Sequence, residues 1–320
     1  MSIFISVAAY CDPVLSFTVR RAVQQARWPE RLHCAVIDQS PAGQTPPMDA
    51  SAAPARLSMV NIDPLQARGP CWARSLAMSL YAGEDWFFQI DSHMDFDLHW
   101  DERLITQALA LQTRQRGVVI SSYPNAFEFQ DGLPVRKAAT AKVLAHVVKA
   151  GAPFAPGHPV LPFEAQPFDS DAPVRGFHLG AGCLFAPGDF VQRFPYDPHL
   201  YFHGEEQALA ARLFTHGWDI FHMPGLPVAH LYRSAGSAAP ERPLHWDPAQ
   251  DAQRKQTWWT LEQRSQARLR ALLQLGQDFG VYGLGTVRTL ADYADFCGVD
   301  YAARTLAPKA YRGPWRPAEG

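Results

Sequence analysis

The chain has 320 residues, 47% of them hydrophobic and 19% charged, with a formal net charge of −2. That is enough for one large domain with an extension, or for two domains. The near-neutral balance, without any Lys/Arg block, excludes a nucleic-acid arm or a basic membrane-surface helix. Five scattered cysteines (Cys11, Cys34, Cys71, Cys183, Cys297), odd in number and lacking C-x-x-C, argue against a disulfide framework and a cysteine zinc site.

The opening IFISVAAY (3–10) reads as a buried strand. Asp12-Pro13 follows as N-cap and first-turn proline. Leu15, Val19, Ala22, Val23 and Ala26 then recur at helical spacing. LHCAVID (32–38) is a second strand, the Pro/Ala-rich 40–56 a surface loop and RLSMVNI (56–62) a third strand. Residues 70–83 read as a helix with Trp72, Leu76 and Leu80 on one face. WFFQID (86–91) is a fourth strand. Strands alternating with helices imply βαβ units and an α/β fold with a mostly parallel sheet, which binds ligands beyond the carboxyl ends of its strands. Asp12, Asp38, Asp91 and His93 all sit at such ends.

A helix is expected over 101–115 and a strand over 117–123. The Pro- and Ala-rich 124–175 resists assignment, with a helix suggested over 137–150. GFHLGAGCLFAP (176–187) reads as a glycine-interrupted strand, and GEEQALAARLFTHG (204–217) as a helix with acidic residues in its first turn. Two short strands, WDIFHM and PVAHLYR, precede a composition break at 234–243. Beyond it a long helix is expected over 249–275 and a shorter one over 286–297. This divides the chain into a domain over 1–235 and a helical extension over 236–320 packed on it. The amino terminus lacks a basic n-region and no stretch approaches about 20 apolar residues, so a reduced, cytoplasmic protein without a membrane span is expected.

The stretch FFQIDSHMDF (87–96) carries the chemistry. On an extended backbone Asp91 and His93 point to the same side. A carboxylate and an imidazole together suit a divalent ion such as Mn²⁺, Mg²⁺ or Zn²⁺. The bland alternative is a turn in which His93 caps the chain and Asp91 accepts a backbone N–H. The tripeptide alone leaves both open.

ISVAAYCDP, ARGPCWAR, QIDSHMDFDLHWD and FHGEEQALAARLFTHGWDIF, in that order, resemble the GlcNAc-transferases of glycosyltransferase family 60. The known eukaryotic members of that family modify a hydroxyproline of a cytoplasmic protein. A more distant likeness is to the polypeptide GalNAc-transferases, through D-S-H and the counterparts AGCLF (181–185), HGEE (203–206) and AHLYR (229–233). The resemblance implies a GT-A fold, that of Rossmann-like nucleotide-diphospho-sugar transferases, and a retaining transfer of GlcNAc from UDP-GlcNAc to a hydroxyl acceptor with Mn²⁺ or Mg²⁺. By the same likeness His230 joins Asp91 and His93 as a metal ligand. Glu205, or its neighbour Glu206, holds the donor sugar, and Gly182 passes its backbone close to that sugar. Tyr10, Asp12 and Asp38 leave their strands where uracil and ribose would lie in a GT-A fold, with a core ring, a plain N-cap and a turn residue as the respective alternatives. Arg68 and Arg74 enter a helix where a cation meets the diphosphate, with surface pairing to Glu84 or Asp85 as the alternative. Cys183 and Glu206 depart from the GalNAc-transferase pattern, which bears on sugar choice and leaves GalNAc or glucose as alternative cargo.

Two other classes compete with this reading. HGE (203–205) satisfies half of a zinc deaminase signature, yet P-C-x-x-C and H-E-x-x-H are absent. A non-catalytic nucleotide-sugar-binding module would keep the fold without needing a leaving-group metal. The acceptor is not legible.

Overall fold

A computed structural model of the chain describes residues 1–44, 55–113, 117–139, 141–233 and 240–312. Most of the expected 40–56 loop, the end of the 101–115 helix and the 235/236 domain boundary therefore lie outside the described residues. Among the described residues no helix is long and apolar enough to cross a membrane. All five cysteines are free thiols, four of them buried.

In chain order the first half runs β1 (Ile3–Tyr10), α1 (Leu15–Gln24), β2 (Leu32–Gln39), β3 (Arg56–Asn61), α2 (Pro70–Met78), β4 (Trp86–Asp91), β5 (Met94–Phe96), α3 (Trp100–Gln112) and β6 (Val118–Ile120). Then come β7 (Asn125–Gln130), β8 (Leu133–Arg136), β9 (Val143–Val148), β10 (Phe163–Phe168), β11 (Val174–Gly176), β12 (Cys183–Pro187), α4 (Phe190–Arg193) and α5 (Glu205–Thr215). The chain continues through β13 (Asp219–His222), β14 (Val228–His230), α6 (Trp258–Leu273) and α7 (Leu290–Cys297).

Eight strands form the central sheet in the order β11-β13-β6-β12-β4-β1-β2-β3. The pairs β1–β2, β1–β4, β2–β3 and β13–β6 are parallel, while β12 runs antiparallel between β4 and β6. β1, β2 and β4 are buried along almost their whole length, so they read as continuous apolar runs, as strands covered on both faces do. The two largest hydrophobic clusters lie one on each side, around Phe4, Phe87, Phe190 and Phe214, and around Phe88, Trp100, Ile5 and Phe185.

Three expectations change. The helix suggested over 137–150 is instead β9, an apolar VLAHVV paired antiparallel with β10. Its β-branched valines and its length of six residues suit a strand. The expected strand 176–187 is two elements, because residues 177–182 leave the sheet between β11 and β12. The long helix over 249–275 splits into a short 3₁₀ turn, Pro248–Gln253, and α6. Asp247, whose carboxylate accepts the Ala249 N–H, starts that turn. α6 and α7 pack on α5 through Leu269, Leu272, Leu273 and Tyr293.

Three histidines are fully buried: His146 in β9, His178 just after β11 and His222 at the end of β13. Neither ring nitrogen of His146 has a partner, and its ring stacks on Tyr123 at 3.7 Å between centroids. Burial holds His146 well below the ordinary imidazole value, pushes His178 down to about 3 and His222 to about 4. In the unfolded chain the same rings titrate near about 6.5. Between that value and the folded ones the unfolded state binds more protons, so stability falls as pH drops, by about 1.4 kcal/mol per pH unit for each ring. Denaturant midpoints are therefore expected to decline from pH 6.5 to 5, before ordinary carboxyls titrate, with about one ring's share offset by Glu206, whose carboxyl is raised to about 7 in the folded state. Equal midpoints across that window would show that the rings take up protons in place.

Candidate functional site

The carboxyl ends of β1 and β4 open onto a cleft of about 320 Å³. Strand pairing assembles its floor. β4 ends at Asp91, whose amide donates to the Gly182 carbonyl at 3.1 Å. β5 then pairs antiparallel with β14, setting His230 opposite Met94, and the Leu231 amide donates to the His93 carbonyl. Residues 139 apart in sequence are thereby joined. Asp91, His93 and His230 each offer one ligand atom within 4.8 Å of the others. The two rings stand edge to face at 4.6 Å, and His230 Nε2 lies 3.2 Å from Asp91 Oδ2.

The surroundings of this donor set suit a divalent ion. His93 Nδ1 donates to Asp12 Oδ2 at 2.7 Å, which assigns the proton to that nitrogen and leaves the Nε2 lone pair available. Asp12 is itself only 4% exposed and is held by the Ser92 hydroxyl at 2.6 Å and the Val14 amide at 2.9 Å. Burial alone would raise the Asp91 carboxyl. The hydrogen bond from His230 and the neighbouring His93 and Arg74 outweigh it and keep the group ionised. Burial lowers the His230 imidazole, so it stays neutral. An ionised carboxylate and two imidazoles, one of them locked by a buried acid, fit Mn²⁺, Mg²⁺ or Zn²⁺.

Gly182 sits against this set for a steric reason. A Cβ there would lie 2.4 Å from Asp91 Oδ2, so only glycine admits the carboxylate in its present position. Arg74, 5% exposed, reaches from α2 to two acids at once, donating to Glu205 Oε1 at 2.7 Å and Asp91 Oδ1 at 3.1 Å. It does not pair with Glu84 or Asp85. Glu205 also accepts from the Cys71 thiol at 3.1 Å. Its neighbour Glu206 turns the other way and accepts the Ala181 amide at 2.8 Å. Burial, helped by Glu205 and Asp91, pushes the Glu206 carboxyl up to about 7.

The remaining expected residues divide. Tyr10 lines the cleft, its hydroxyl bonded to Gln250 and to Arg254 at 2.6 Å. Asp38, at the end of β2, is fully buried and accepts from Ser40 at 2.6 Å and Asn61 at 3.1 Å; it is not part of the cleft lining. Arg68 is exposed and lies over the Trp72 ring at 5.5 Å, also outside the lining. Arg242 and His245, to which sequence reasoning assigned no role, join the wall together with Trp246 and with Arg233, the last residue of AHLYR. Arg242 donates to the Leu231 carbonyl at 2.9 Å and lies 4.0 Å from Asp12. Trp246 stacks on Phe202 at 5.1 Å. These come from a segment with no regular periodicity. The only signal was their composition, an Arg, a His and a Trp within five residues.

A family model described as glycosyltransferase (GlcNAc) matches residues 49–303. The chain belongs to this GlcNAc glycosyltransferase family. The match spans Arg74, Asp91, His93, Glu205 and His230 and runs through α6 and α7. No curated protein matches the chain. Among solved structures, GalNAc-T7 with UDP, GalNAc and Mn²⁺ superposes with a TM-score of 0.58 at 12% identity, covering 92% of this chain and 54% of that one. This family member therefore has the GT-A fold, α/β with a mostly parallel central sheet, and spans about half the length of the GalNAc-T7 chain. S. aureus TarS 1-349 in complex with UDP-GlcNAc gives a TM-score of 0.41 at 10% identity, covering 85% of this chain and 73% of that one.

Proposed function

We propose that the chain is a metal-dependent, retaining N-acetylglucosaminyltransferase that moves GlcNAc from UDP-GlcNAc to a hydroxyl acceptor. The observation that carries this reading is the convergence of Asp91, His93 and His230 in a cleft that also holds Arg74, Arg233 and Arg242. A cleft with three guanidinium groups beside a cation site suits a diphosphate. When bound, a divalent ion supplies positive charge against the departing diphosphate. GlcNAc as cargo follows the family description, and retention follows the likeness to polypeptide GalNAc-transferases.

In the transfer, the bond between the sugar's anomeric carbon and the diphosphate oxygen breaks, and its electron pair leaves with UDP. The acceptor oxygen bonds to the same carbon, and its proton passes to the diphosphate oxygen. Arg242 and Arg233 receive the phosphate charge, and Asp12 keeps His93 in its ligating tautomer. Glu205, fixed by Arg74 and Cys71, forms the rigid end of the sugar pocket. Glu206 presents a carboxyl that gains or loses its proton near neutrality. Tyr10 and the strap 242–254 cover the uracil side. The division into a transferase domain over 1–235 and a helical extension over 236–320 belongs to the same proposal, as does a reducing cytoplasmic setting, in keeping with five free thiols.

Calorimetric titration of UDP into the protein, with Mn²⁺ and again with EDTA, tests the reading. Binding that disappears with EDTA is expected. Equal binding in both buffers would remove the metal from the proposal, and no binding in either would remove the nucleotide. Parallel assays with UDP-GlcNAc, UDP-GalNAc and UDP-glucose then decide the cargo.

A further inference from the structure

Beyond Phe202 a second cleft opens, of about 560 Å³, walled by Tyr123, Phe163, Phe202, Glu205, Glu206 and Glu262. Phe202 lines both clefts, and Glu205 in the second is bonded to Arg74 in the first. The two spaces therefore share a wall at the point where donor and acceptor would meet. Their charge differs. Three arginines and two aspartates line the first, whereas the described lining of the second includes three glutamates and no Lys or Arg.

The three acids are not equally satisfied. Arg74 compensates Glu205. Glu206 has the Ala181 amide. Glu262, from the first turns of α6, accepts from Gln266 at 3.1 Å and lies 3.9 Å from His203. Its Oε2 has no hydrogen-bond partner, although the residue is only 8% exposed. A buried carboxylate oxygen without a donor is costly, and a guest that brings a charged donor recovers that cost. Tyr123, Phe163 and Phe202 line the same space, and aromatic rings carry a quadrupole that attracts cations. A phosphorylated or carboxylated guest meets repulsion from the same wall.

We propose that the second cleft receives the acceptor and selects one that carries an ammonium or guanidinium group close to its reacting hydroxyl. The proposal rests on the transferase reading for its chemistry, in which the hydroxyl oxygen replaces the diphosphate oxygen on the anomeric carbon. Its charge preference rests on the cleft alone. Glu262 acts here as the specificity-determining group, with Phe202 separating the cation from the donor's phosphates.

The test uses the full chain with Mn²⁺ and UDP, and two probes: a blocked serine–lysine dipeptide and the same dipeptide with an acetylated lysine. Binding of each is followed by calorimetry. The lysine form is expected to bind at least tenfold more tightly, and the preference is expected to shrink in high salt. Glu262→Gln is expected to erase the preference while UDP affinity is unchanged. Equal affinity for the two probes, tighter binding of the acetylated one, or no binding of either overturns the proposal. The wild-type comparison needs no variant, so it decides even if Glu262→Gln fails to fold. Charge preference without UDP binding would instead overturn the transferase reading and leave the cleft's selectivity standing.

Discussion

Asp91→Asn and His230→Ala are each expected to abolish Mn²⁺-dependent UDP binding and to lower sugar transfer by about three orders of magnitude, or about 4 kcal/mol of transition-state stabilisation. The size follows from where the two residues stand. They supply two of the three ligand atoms that converge within 4.8 Å, and one imidazole with one carboxylate does not hold a divalent ion alone. Asparagine keeps the shape of Asp91 and an acceptor for Arg74, so its defect should lie in metal binding while the thermal midpoint stays close to wild type. Asp12→Asn provides a graded control. It weakens the hydrogen bond that orients His93 without removing a ligand, and losses of this kind run to about 10–100-fold in metal affinity. The ordering is the informative result. If His230→Ala binds UDP and Mn²⁺ as the parent does, His230 is not a ligand. If Asp12→Asn is as damaging as Asp91→Asn, Asp12 is more than a support.

The parts of this molecule that were legible from sequence share one property: their signal is local. Strands β1, β2 and β4 declare themselves as apolar runs, and Asp91-x-His93 at the end of β4 places two donors on one side through strand geometry alone. His230 was reachable only through the likeness of AHLYR to a known motif, because what brings it to His93 is the antiparallel pairing of β5 with β14. VLAHVV was opaque for the opposite reason. A short apolar run buried on both faces carries neither a clean period of 2 nor of 3.6, so β9 was misread as part of a helix. Gly182 has a second reason to be glycine that no local pattern carries: a Cβ there would meet Asp91 Oδ2, which only the folded structure brings beside it. Arg242 and His245 lie in an irregular strap whose path is set by tertiary contacts, notably the Tyr201 hydroxyl on His245 and Arg242 on Leu231. Nothing in local sequence predicts that path.

Arg74→Met is expected to cost about 3–5 kcal/mol of folding stability, because it strands the buried Glu205 carboxylate rather than because it removes a favourable pair. Arg74 is nearly isosteric with methionine along its stem, and its guanidinium serves Glu205 and Asp91 together over the Tyr196 ring. Without it Glu205, 4% exposed, keeps the Cys71 thiol as a weak donor, and a carboxylate at that depth cannot be rehydrated without opening the wall between the two clefts. The cheapest relief is for Glu205 to take up a proton. The variant should therefore lose most stability at high pH and recover part of it as pH falls, since the folded state then binds a proton that the unfolded chain, with its ordinary carboxyl near about 4.3, does not. Combining Arg74→Met with Glu205→Gln removes the stranded charge, and the double variant should be more stable than Arg74→Met alone. Urea unfolding of the two variants at pH 6 and pH 8 measures both effects. A single-variant cost below about 1 kcal/mol, or a double variant no better than the single, would mean that water already reaches this wall and solvates the carboxylate there.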